Sequence, residues 1–285
     1  MAPTRPRNHE PLSVGLPGSL RKLLEDHCER TGESVEHVIH SALASYLGLE
    51  RHTIFQVSTS AALVEGVYDG CVTVGELRRH GDFGLGTFDA LDGEGIMLDG
   101  EIWQARSDGS VTRPPDDALV PFWVATHFVA DARSEGKKIG SWAELVQEID
   151  ALRSGENISF AIRVRGQFRS VKYRTACRAE AGESLVEATS HQAEFSAKDV
   201  SGTLIGFWTP MYAKTINVPG YHLHLLSDDR RHGGHILDLE ADAVEIELAT
   251  ENHLSLALPE TAAFLQADLT GDPVADLAKA EGDHD

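Results

Sequence analysis

The chain has 285 residues, of which 41% are apolar, and its formal net charge is −20 at pH 7. A chain of this length can bury a substantial core and can hold two domains. Its negative charge disfavours binding to nucleic acid or to an anionic membrane surface, and it offers no attraction to an anionic substrate. A site for such a substrate would therefore need basic side chains of its own.

The compartment signals are those of a cytoplasmic protein. The three cysteines, Cys28, Cys71 and Cys177, are scattered, and they match neither a disulfide framework nor a thiolate metal motif. No apolar run approaches the roughly 20 residues that span a bilayer. The N-terminal MAPTRPRNHEPL also lacks the apolar core of a signal peptide. We therefore expect a cytoplasmic location and no membrane partner.

The first fifty residues predict a small module that is separate from the rest of the chain. Residues 1–9 are polar and without periodicity, which is typical of a disordered tail. Residues 12–16 alternate between apolar and polar positions, as in a short strand. Two amphipathic helices should follow, the first ending at Gly32 and the second at Gly48. We therefore predict a small β-α-α module over residues 10–50.

The segments LSVGLP, TGESVEHVI and ALASYLG in this module resemble a ribbon-helix-helix protein. Such modules are intertwined dimers, because one copy is too small to bury its own core, and some bind DNA through the strand ribbon. Residues 1–51 contain six Lys or Arg and seven Asp or Glu, and the ribbon positions Ser13 and Gly15 are uncharged. Binding to nucleic acid depends on neutralising phosphates. We therefore expect dimerisation, with DNA a disfavoured partner.

From residue 53 onward the pattern is mainly that of β-structure. Asp-Gly pairs at 99–100 and 108–109 predict two hairpins. Ser141 and Glu144 predict a capping box at the start of a helix over residues 141–153. Further strands are predicted at 53–59, 157–164, 169–175, 243–248 and 254–258, and short helical turns at 60–65, 76–80 and 261–269.

Two other stretches stand out by composition. The most basic one, between residues 163 and 178, would usually be a solvated strand face; it contains Arg163, Arg165, Arg169, Lys172, Arg174 and Arg178. The C-terminal DPVADLAKAEGDHD is acidic and has few apolar residues. We expect this tail to contribute little to the stability of the fold.

The segment VPGYHLHLLSDDRRHGGHILDL carries the strongest chemical signal. His222 and His224 are two residues apart, so a strand would point both imidazoles to one face. A hairpin centred on residues 229–230 would place His235 opposite His224. Three converging imidazoles are the ligand set of a catalytic metal site that keeps an open position. A single histidine would more often be a half-buried aromatic, and His-x-His also occurs in cupin-type barrels, so spacing alone does not identify the reaction.

Longer segments resemble the alpha-acetolactate decarboxylases. GTLIGFWTP, INVPGYHLHLLSDDR and GGHILDL are similar to the C-terminal half of that family, and TIFQVSTSAALVEGVYDG and GDFGLGTFDALDGE are similar to an upstream segment of it. The resemblance runs from about Thr53 to the C-terminus. It implies an α+β fold with a mostly β, two-part domain over residues 52–285. The expected halves are 52–156 and 157–285.

The resemblance also implies an activity and a cofactor. The reaction would be the decarboxylation of 2-acetolactate to acetoin and carbon dioxide, in acetoin or butanediol biosynthesis. A divalent metal, with Zn²⁺ expected, would be held by His222, His224 and His235. The implied partners are the small-molecule substrate and further copies of the chain, in a homodimer or a higher homo-oligomer.

Four more residues receive catalytic roles from the resemblance. Arg174, in KYRT, matches the arginine that family members place over the metal. Thr87 and Glu94 lie in the motif GTFDxLDGE, and we expect Thr87 to act as a hydrogen-bonding partner. Spacing points to Glu281 as the tail glutamate that folds back into the site. Glu94 and Glu281 are both candidates for the proton donor, and either could approach the metal.

The chain departs from the family pattern at two places near the expected site. Gly95 stands where members usually have methionine, and the segment AEAGESLVEA lacks a Pro-Tyr pair found in many of them. Two alternatives to the decarboxylase remain. One is a cupin-like oxygenase that holds Fe(II) with the same histidines. The other is a DNA-binding regulator whose large domain senses a ligand.

Overall fold

The computed structural model describes residues 13–46, 52–180 and 182–281, without the side chains of His37, His40, Ala44 and Glu281. The chain divides into two compact units, residues 1–49 and residues 50–285. The predicted disordered tail over residues 1–9 lies outside the described residues. None of the described helices has the length and apolar character needed to cross a bilayer.

The N-terminal unit is helical. It contains α1 (Gly18–Thr31) and α2 (Val35–Tyr46). Gly32 ends α1 in the left-handed conformation, with φ 79°, and its N–H donates to the carbonyl of Cys28. The predicted strand is not formed over residues 13–17. A strand requires a pairing partner, and the described part of a single copy of this unit consists otherwise of helices.

The second unit is mainly β-structure. In chain order its elements are β1 (Thr53–Val57), α3 (Ser60–Val64), β2 (Val72–Thr73), α4 (Val74–Leu77), β3 (Phe83–Thr87), β4 (Glu94–Leu98), β5 (Glu101–Ala105), β6 (Val111–Thr112), β7 (Leu119–Val120), β8 (Phe122–Thr126), β9 (Ala132–Ile139), α5 (Trp142–Leu152), β10 (Ser159–Thr175), α6 (Leu185–Thr189), β11 (Ala193–Thr209), β12 (Gly220–Ser227), β13 (Gly233–Glu251), β14 (His253–Ala257), α7 (Ala262–Gln266) and α8 (Val274–Glu281).

These strands form two large sheets and one strand pair. The first sheet has seven strands in the order β14-β1-β8-β3-β4-β5-β6, and β2 pairs with β7. The second sheet has five strands in the order β10-β11-β12-β13-β9. Because β10 also pairs with β13, the four strands β10, β11, β12 and β13 form a closed ring of paired strands. The fold is therefore α+β, with a mostly β large unit.

Local backbone chemistry explains one hairpin turn and the start of one helix. Both residues of the hairpin between β4 and β5, Asp99 and Gly100, have positive φ, as a tight two-residue hairpin turn requires. The helical turn predicted at 76–80 begins earlier, at Val74, because the hydroxyl of Thr73 caps it by accepting from the N–H of Glu76.

Two details of the predicted elements need correction. The two strands predicted over 157–175 are one strand, β10, whose pairing with β13 continues through register shifts near residues 167–170. At α5, Ser141 caps the helix as predicted. The carboxylate of Glu144, however, accepts from the N–H of Gly140. The capping is therefore not the reciprocal box that the sequence suggests.

The two large sheets pack face to face around one shared apolar core. Phe83 of the first sheet contacts Phe207 of the second edge to face, with 6.2 Å between ring centroids. Helix α8 completes this core with Leu277 and Ala280, which are 1% and 2% exposed. The expectation that the tail contributes little is wrong, because two apolar residues three positions apart lie on one helix face and can both be buried.

We expect Leu277→Ala to lower the free energy of unfolding by about 2–5 kcal/mol, the usual cost of a cavity at a buried leucine. Urea denaturation monitored by circular dichroism measures this change. Leu265→Ala on α7 is the matched control, because Leu265 is 71% exposed and should change stability by less than about 0.5 kcal/mol. Equal stability of the two variants would contradict the packing of α8.

Candidate active site

The histidine hairpin is formed by β12 and β13. Its antiparallel register places His224 opposite His235. On the other side of β12, His222 and His224 pair with Phe207 and Ile205 of β11. All three imidazoles therefore extend from a continuous antiparallel ladder, whose hydrogen bonds hold the backbone at each histidine.

The imidazole nitrogens of His222, His224 and His235 converge closely. One ligand nitrogen from each ring lies within 4.8 Å of the others. The Nε2 atoms of His222 and His224 are 3.1 Å apart. Two nitrogens bound to the same tetrahedral zinc ion at about 2.05 Å would be roughly 3.3 Å apart. The donor set and its spacing therefore fit a divalent metal ion.

A backbone carbonyl from the first sheet orients His224. Its Nδ1 lies 3.0 Å from the carbonyl oxygen of Gly95 at the start of β4. Metal-binding histidines commonly donate the N–H of their second ring nitrogen to such a carbonyl, which selects the tautomer and the ring orientation. With the proton on Nδ1, Nε2 of His224 presents its lone pair to His222 and His235.

The environment also favours the neutral form of His222. Burial, with a smaller contribution from the positive charge of Arg174, lowers the pKa of His222 to about 3. The imidazole is therefore unprotonated at neutral pH, and unprotonated imidazole is the form that binds metals.

Arg174 is on β10, directly opposite His235 of β13. It is only 4% exposed and lines the same cavity as His222 and His235. A buried guanidinium keeps its charge and offers several fixed donors, so this position is suited to recognising a carboxylate.

The first sheet contributes Glu94 and Thr87, which are paired across β4 and β3. Oε2 of Glu94 is 3.5 Å from Nε2 of His224. Its Oε1 accepts a hydrogen bond of 2.9 Å from the N–H of Ala176. The hydroxyl of Thr87 donates to the carbonyl of Gly93 at 2.8 Å. Both residues line the cavity, and the Thr87 hydroxyl is bonded to the turn that precedes Glu94.

The cavity beside the histidines has a volume of about 70 Å³ and a largely apolar wall. Leu63, Leu91, Leu185, Val218, Leu277 and Ala280 supply most of that wall. The side chain of Glu281, the remaining predicted site residue, lies outside the described residues. Its backbone position follows Ala280 directly at the end of α8.

The sequence did not lead us to predict that α6 forms part of the cavity wall. The segment without the family's Pro-Tyr pair forms this short helix, which brings Leu185 and Thr189 to the cavity. Ser184 and Glu187 make a reciprocal capping box at its start. That signal, Ser-x-x-Glu around an apolar residue, was present in the sequence and could have identified the helix.

The structure also explains the departure at Gly95. A Cβ atom built on Gly95 would lie 2.2 Å from the indole ring of Trp123, a completely buried residue of β8. The indole therefore occupies the space that a side chain at position 95 would need. The Gly95 carbonyl nevertheless remains in place to accept from His224.

The chain is similar to several known proteins of one family. A family model described as alpha-acetolactate decarboxylase matches residues 54–271. An alpha-acetolactate decarboxylase of Methanosarcina mazei is 41% identical over 229 residues, which are 80% of this chain and 80% of that protein. One of Methylococcus capsulatus is 42% identical over 224 residues, 78% of this chain and 86% of that protein. The crystal structure of alpha-acetolactate decarboxylase from Bacillus subtilis strain 168 superposes with a TM-score of 0.78 at 37% identity, covering 81% of this chain and 99% of that one.

Proposed function

The chain belongs to the alpha-acetolactate decarboxylase family, and we propose that it converts 2-acetolactate to acetoin at a divalent metal ion. His222, His224 and His235 would hold the ion, and Zn²⁺ suits three imidazoles with an open position. The observation that carries this proposal is the convergence of the three rings beside Glu94 and Arg174.

The reaction defines what the site must do. When the bond between C2 and the carboxylate breaks, carbon dioxide leaves and the electron pair stays on the substrate. The neighbouring ketone accepts that pair, giving an enediolate, and a proton added to carbon then gives acetoin. A bound divalent ion supplies the Lewis acid that makes the ketone a better electron acceptor. The remaining tasks are binding the carboxylate, excluding water and delivering one proton.

Arg174 is proposed to bind the substrate carboxylate and to stabilise the negative charge that develops on oxygen. The overall charge of −20 gives an anionic 3-keto acid such as 2-acetolactate no general attraction to this protein. A buried guanidinium next to His235 is the local cation that can compensate for this. The apolar wall of the cavity lowers the local dielectric and so strengthens that interaction.

Glu94 is proposed to hold the proton that reaches the enediolate. Its carboxyl group is fixed by the N–H of Ala176 and lies beside Nε2 of His224. A general acid needs such a fixed position within reach of the reacting carbon. Because acetoin is chiral, an acid fixed on one side of the substrate would also determine which enantiomer forms.

Glu281 is proposed as the second acidic group of the site. The support is the position of α8, since Leu277 and Ala280 line the cavity and Glu281 is the next residue. Thr87 is proposed to contribute by its hydrogen bond to Gly93. A cupin-like oxygenase is not favoured, because the family match extends over residues 54–271 and so includes both sheets.

The metal assignment is tested by replacing each ligand histidine separately. His222→Ala, His224→Ala and His235→Ala should each remove the metal, as measured by elemental analysis, and abolish acetoin formation, because catalytic zinc sites use three protein ligands. His232→Ala is the control on the same hairpin, since its Nδ1 lies near the hydroxyl of Tyr173 instead. A His235→Ala enzyme that keeps both metal and activity would contradict the assignment. Chelator should reproduce the inactive state, and added Zn²⁺ should reverse it.

The acid roles are tested by Glu94→Gln, Glu281→Gln and truncation after Ala280. Each should lower turnover by about 10²-fold or more, the usual effect of losing a general acid. The change in melting temperature for Glu281→Gln should be small, because glutamine preserves the shape of the side chain. Asp276→Asn, on the same helix, is the control. Normal turnover in the truncated enzyme would remove Glu281 from the mechanism.

We further infer that the N-terminal module over residues 10–50 pairs with a second copy of itself. No described residue of this unit is buried. Leu20 and Leu23 of α1 are 50% and 66% exposed, and Leu43 of α2 is 52% exposed. A unit this small cannot bury such a surface alone, and an identical copy provides a matching apolar surface. Its lack of net positive charge disfavours the alternative role in DNA binding.

Deleting residues 1–50 should therefore lower the assembly state, measured by light scattering after gel filtration. Turnover should stay within about tenfold of the full chain, a barrier change of about 1.4 kcal/mol, because the catalytic cavity is built from the second unit. Tight sequence-specific DNA binding that persists at roughly 0.2 M salt with competitor DNA would contradict this interpretation and would favour the regulator.

A further inference from the structure

The turn that leads into Glu94 has an unusual backbone. Ala90, Leu91 and Gly93 have φ values of 57°, 54° and 85°. The left-handed conformation is easy for glycine but unfavourable for residues that carry a Cβ atom. Two such residues in succession persist only when their surroundings hold them in place.

Two side chains hold this turn at consecutive carbonyl groups. Nε2 of Gln104 donates to the carbonyl oxygen of Asp92 at 2.5 Å and lies 3.2 Å from Oδ2 of the same residue. The hydroxyl of Thr87 donates to the carbonyl of the next residue, Gly93. Thr87 belongs to β3 and Gln104 to β5, the two strands that pair with β4 on either side. The turn is therefore held from both neighbours of the strand that begins with Glu94.

Gln104 lies on the face of the first sheet that points away from the histidines. Trp123, Gly86, Gly95 and Gln104 form one row across β8, β3, β4 and β5. Side chains in one such row share a face of the sheet, and Trp123 lies in the apolar core on the face away from the histidines. Gln104, which is 3% exposed, can therefore influence the reaction through the turn rather than by touching the substrate.

The direction of the Glu94 side chain depends on this turn. Fixing the carbonyls of Asp92 and Gly93 fixes the two peptide planes that precede Glu94, and these planes determine where its Cα–Cβ bond points. The Glu94 carboxyl group is 3.5 Å from Nε2 of His224. A small rotation at the turn would move it away from the position where a proton can be delivered.

We propose that Gln104 is a positioning residue for Glu94. Its amide holds the left-handed turn and thereby keeps the Glu94 carboxyl group aimed at the reacting carbon. This inference rests on the proposed role of Glu94 as proton donor. A second consequence concerns the product, because a correctly aimed acid protonates one face of the enediolate, whereas water can protonate either face.

Gln104→Leu tests the proposal, because leucine has a similar volume and no hydrogen-bond donor. We expect kcat to fall by about 10-fold to 100-fold, the scale of a misplacement near 1 Å, with KM and metal content unchanged. The enantiomeric excess of the acetoin should also fall. Gln104→Asn keeps the amide but is too short to reach Asp92, so it gives the same test should the leucine variant fold poorly.

Gln56→Leu is the matched control. Gln56 is also fully buried in the first sheet, and its Nε2 donates to two backbone carbonyls, those of Ser58 and Ile216. This variant should lose thermal stability but keep its kcat and the enantiomeric excess of its product. Equal losses of kcat in the Gln56 and Gln104 variants would mean that Gln104 is only structural, and would overturn the proposal.

A double-mutant cycle separates this proposal from the role of Glu94 itself. In a Glu94→Gln background, Gln104→Leu should lower kcat by less than about twofold, because the group that it positions has already been removed. The same fold-loss in both backgrounds would overturn the positioning role. Full activity of Glu94→Gln alone would instead overturn the proposed function of Glu94. An inactive Glu94→Gln enzyme combined with a normal Gln104→Leu enzyme would reject only the inference about Gln104.

Discussion

The contact between His224 and the carbonyl of Gly95 joins the two sheets where the chemistry is expected. These residues are 129 positions apart. The second sheet supplies the three histidines and Arg174, whereas the first supplies Glu94 and the carbonyl that orients His224. The distance between the proposed acid and the proposed metal ligands is thus set by the packing of the sheets. The apolar core that they share therefore also determines the geometry of the proposed site.

Arg174 reaches this site because of an irregularity in β10. Up to residue 168 the even-numbered residues, such as Ile162 and Val164, face the apolar cluster that the second sheet forms with α5. Beyond it the odd-numbered Val171 and Tyr173 face that cluster. This change of face coincides with the register shifts in the pairing with β13 between residues 167 and 170. If the earlier alternation had continued, Arg174 would point away from the cavity. The predicted gap between the two strands, at 165–168, overlaps this irregularity, but the sequence pattern does not show that the pairing continues across it.

The basic stretch around Arg174 has two different uses. Arg163 of this stretch contacts Glu247, which is 1% exposed and which Arg133 of β9 contacts as well. Burial acts to raise the pKa of Glu247, but the two arginines outweigh it and lower the pKa. The charge of Arg163 is therefore compensated within the fold. Composition alone predicted a solvated strand face, which does not distinguish this paired arginine from Arg174. The distinction depends on which strand lies opposite each one, and that is a property of the assembled sheet.

The features that the sequence predicts well are local. The period of two in a strand and a hairpin centred on residues 229–230 were sufficient to align His224 with His235, because a short hairpin leaves few alternative registers. The carbonyl that orients His224, the α6 and α8 walls and the hydrogen bond from Gln104 to Asp92 depend on segments that meet only in the folded chain. Leu277 and Ala280 illustrate the limit, since their spacing indicates one helix face but not what covers it.

The position of Glu94 also depends on segments that are distant in the sequence. Its N-terminal turn is held by β3 and β5, and its carboxyl group is held by the N–H of Ala176, two residues after Arg174. The acid and the arginine are therefore linked through a short piece of backbone, so a shift of β10 would move both together. The site keeps its proposed proton donor and its proposed carboxylate-binding group in a constant relation, although they come from different sheets.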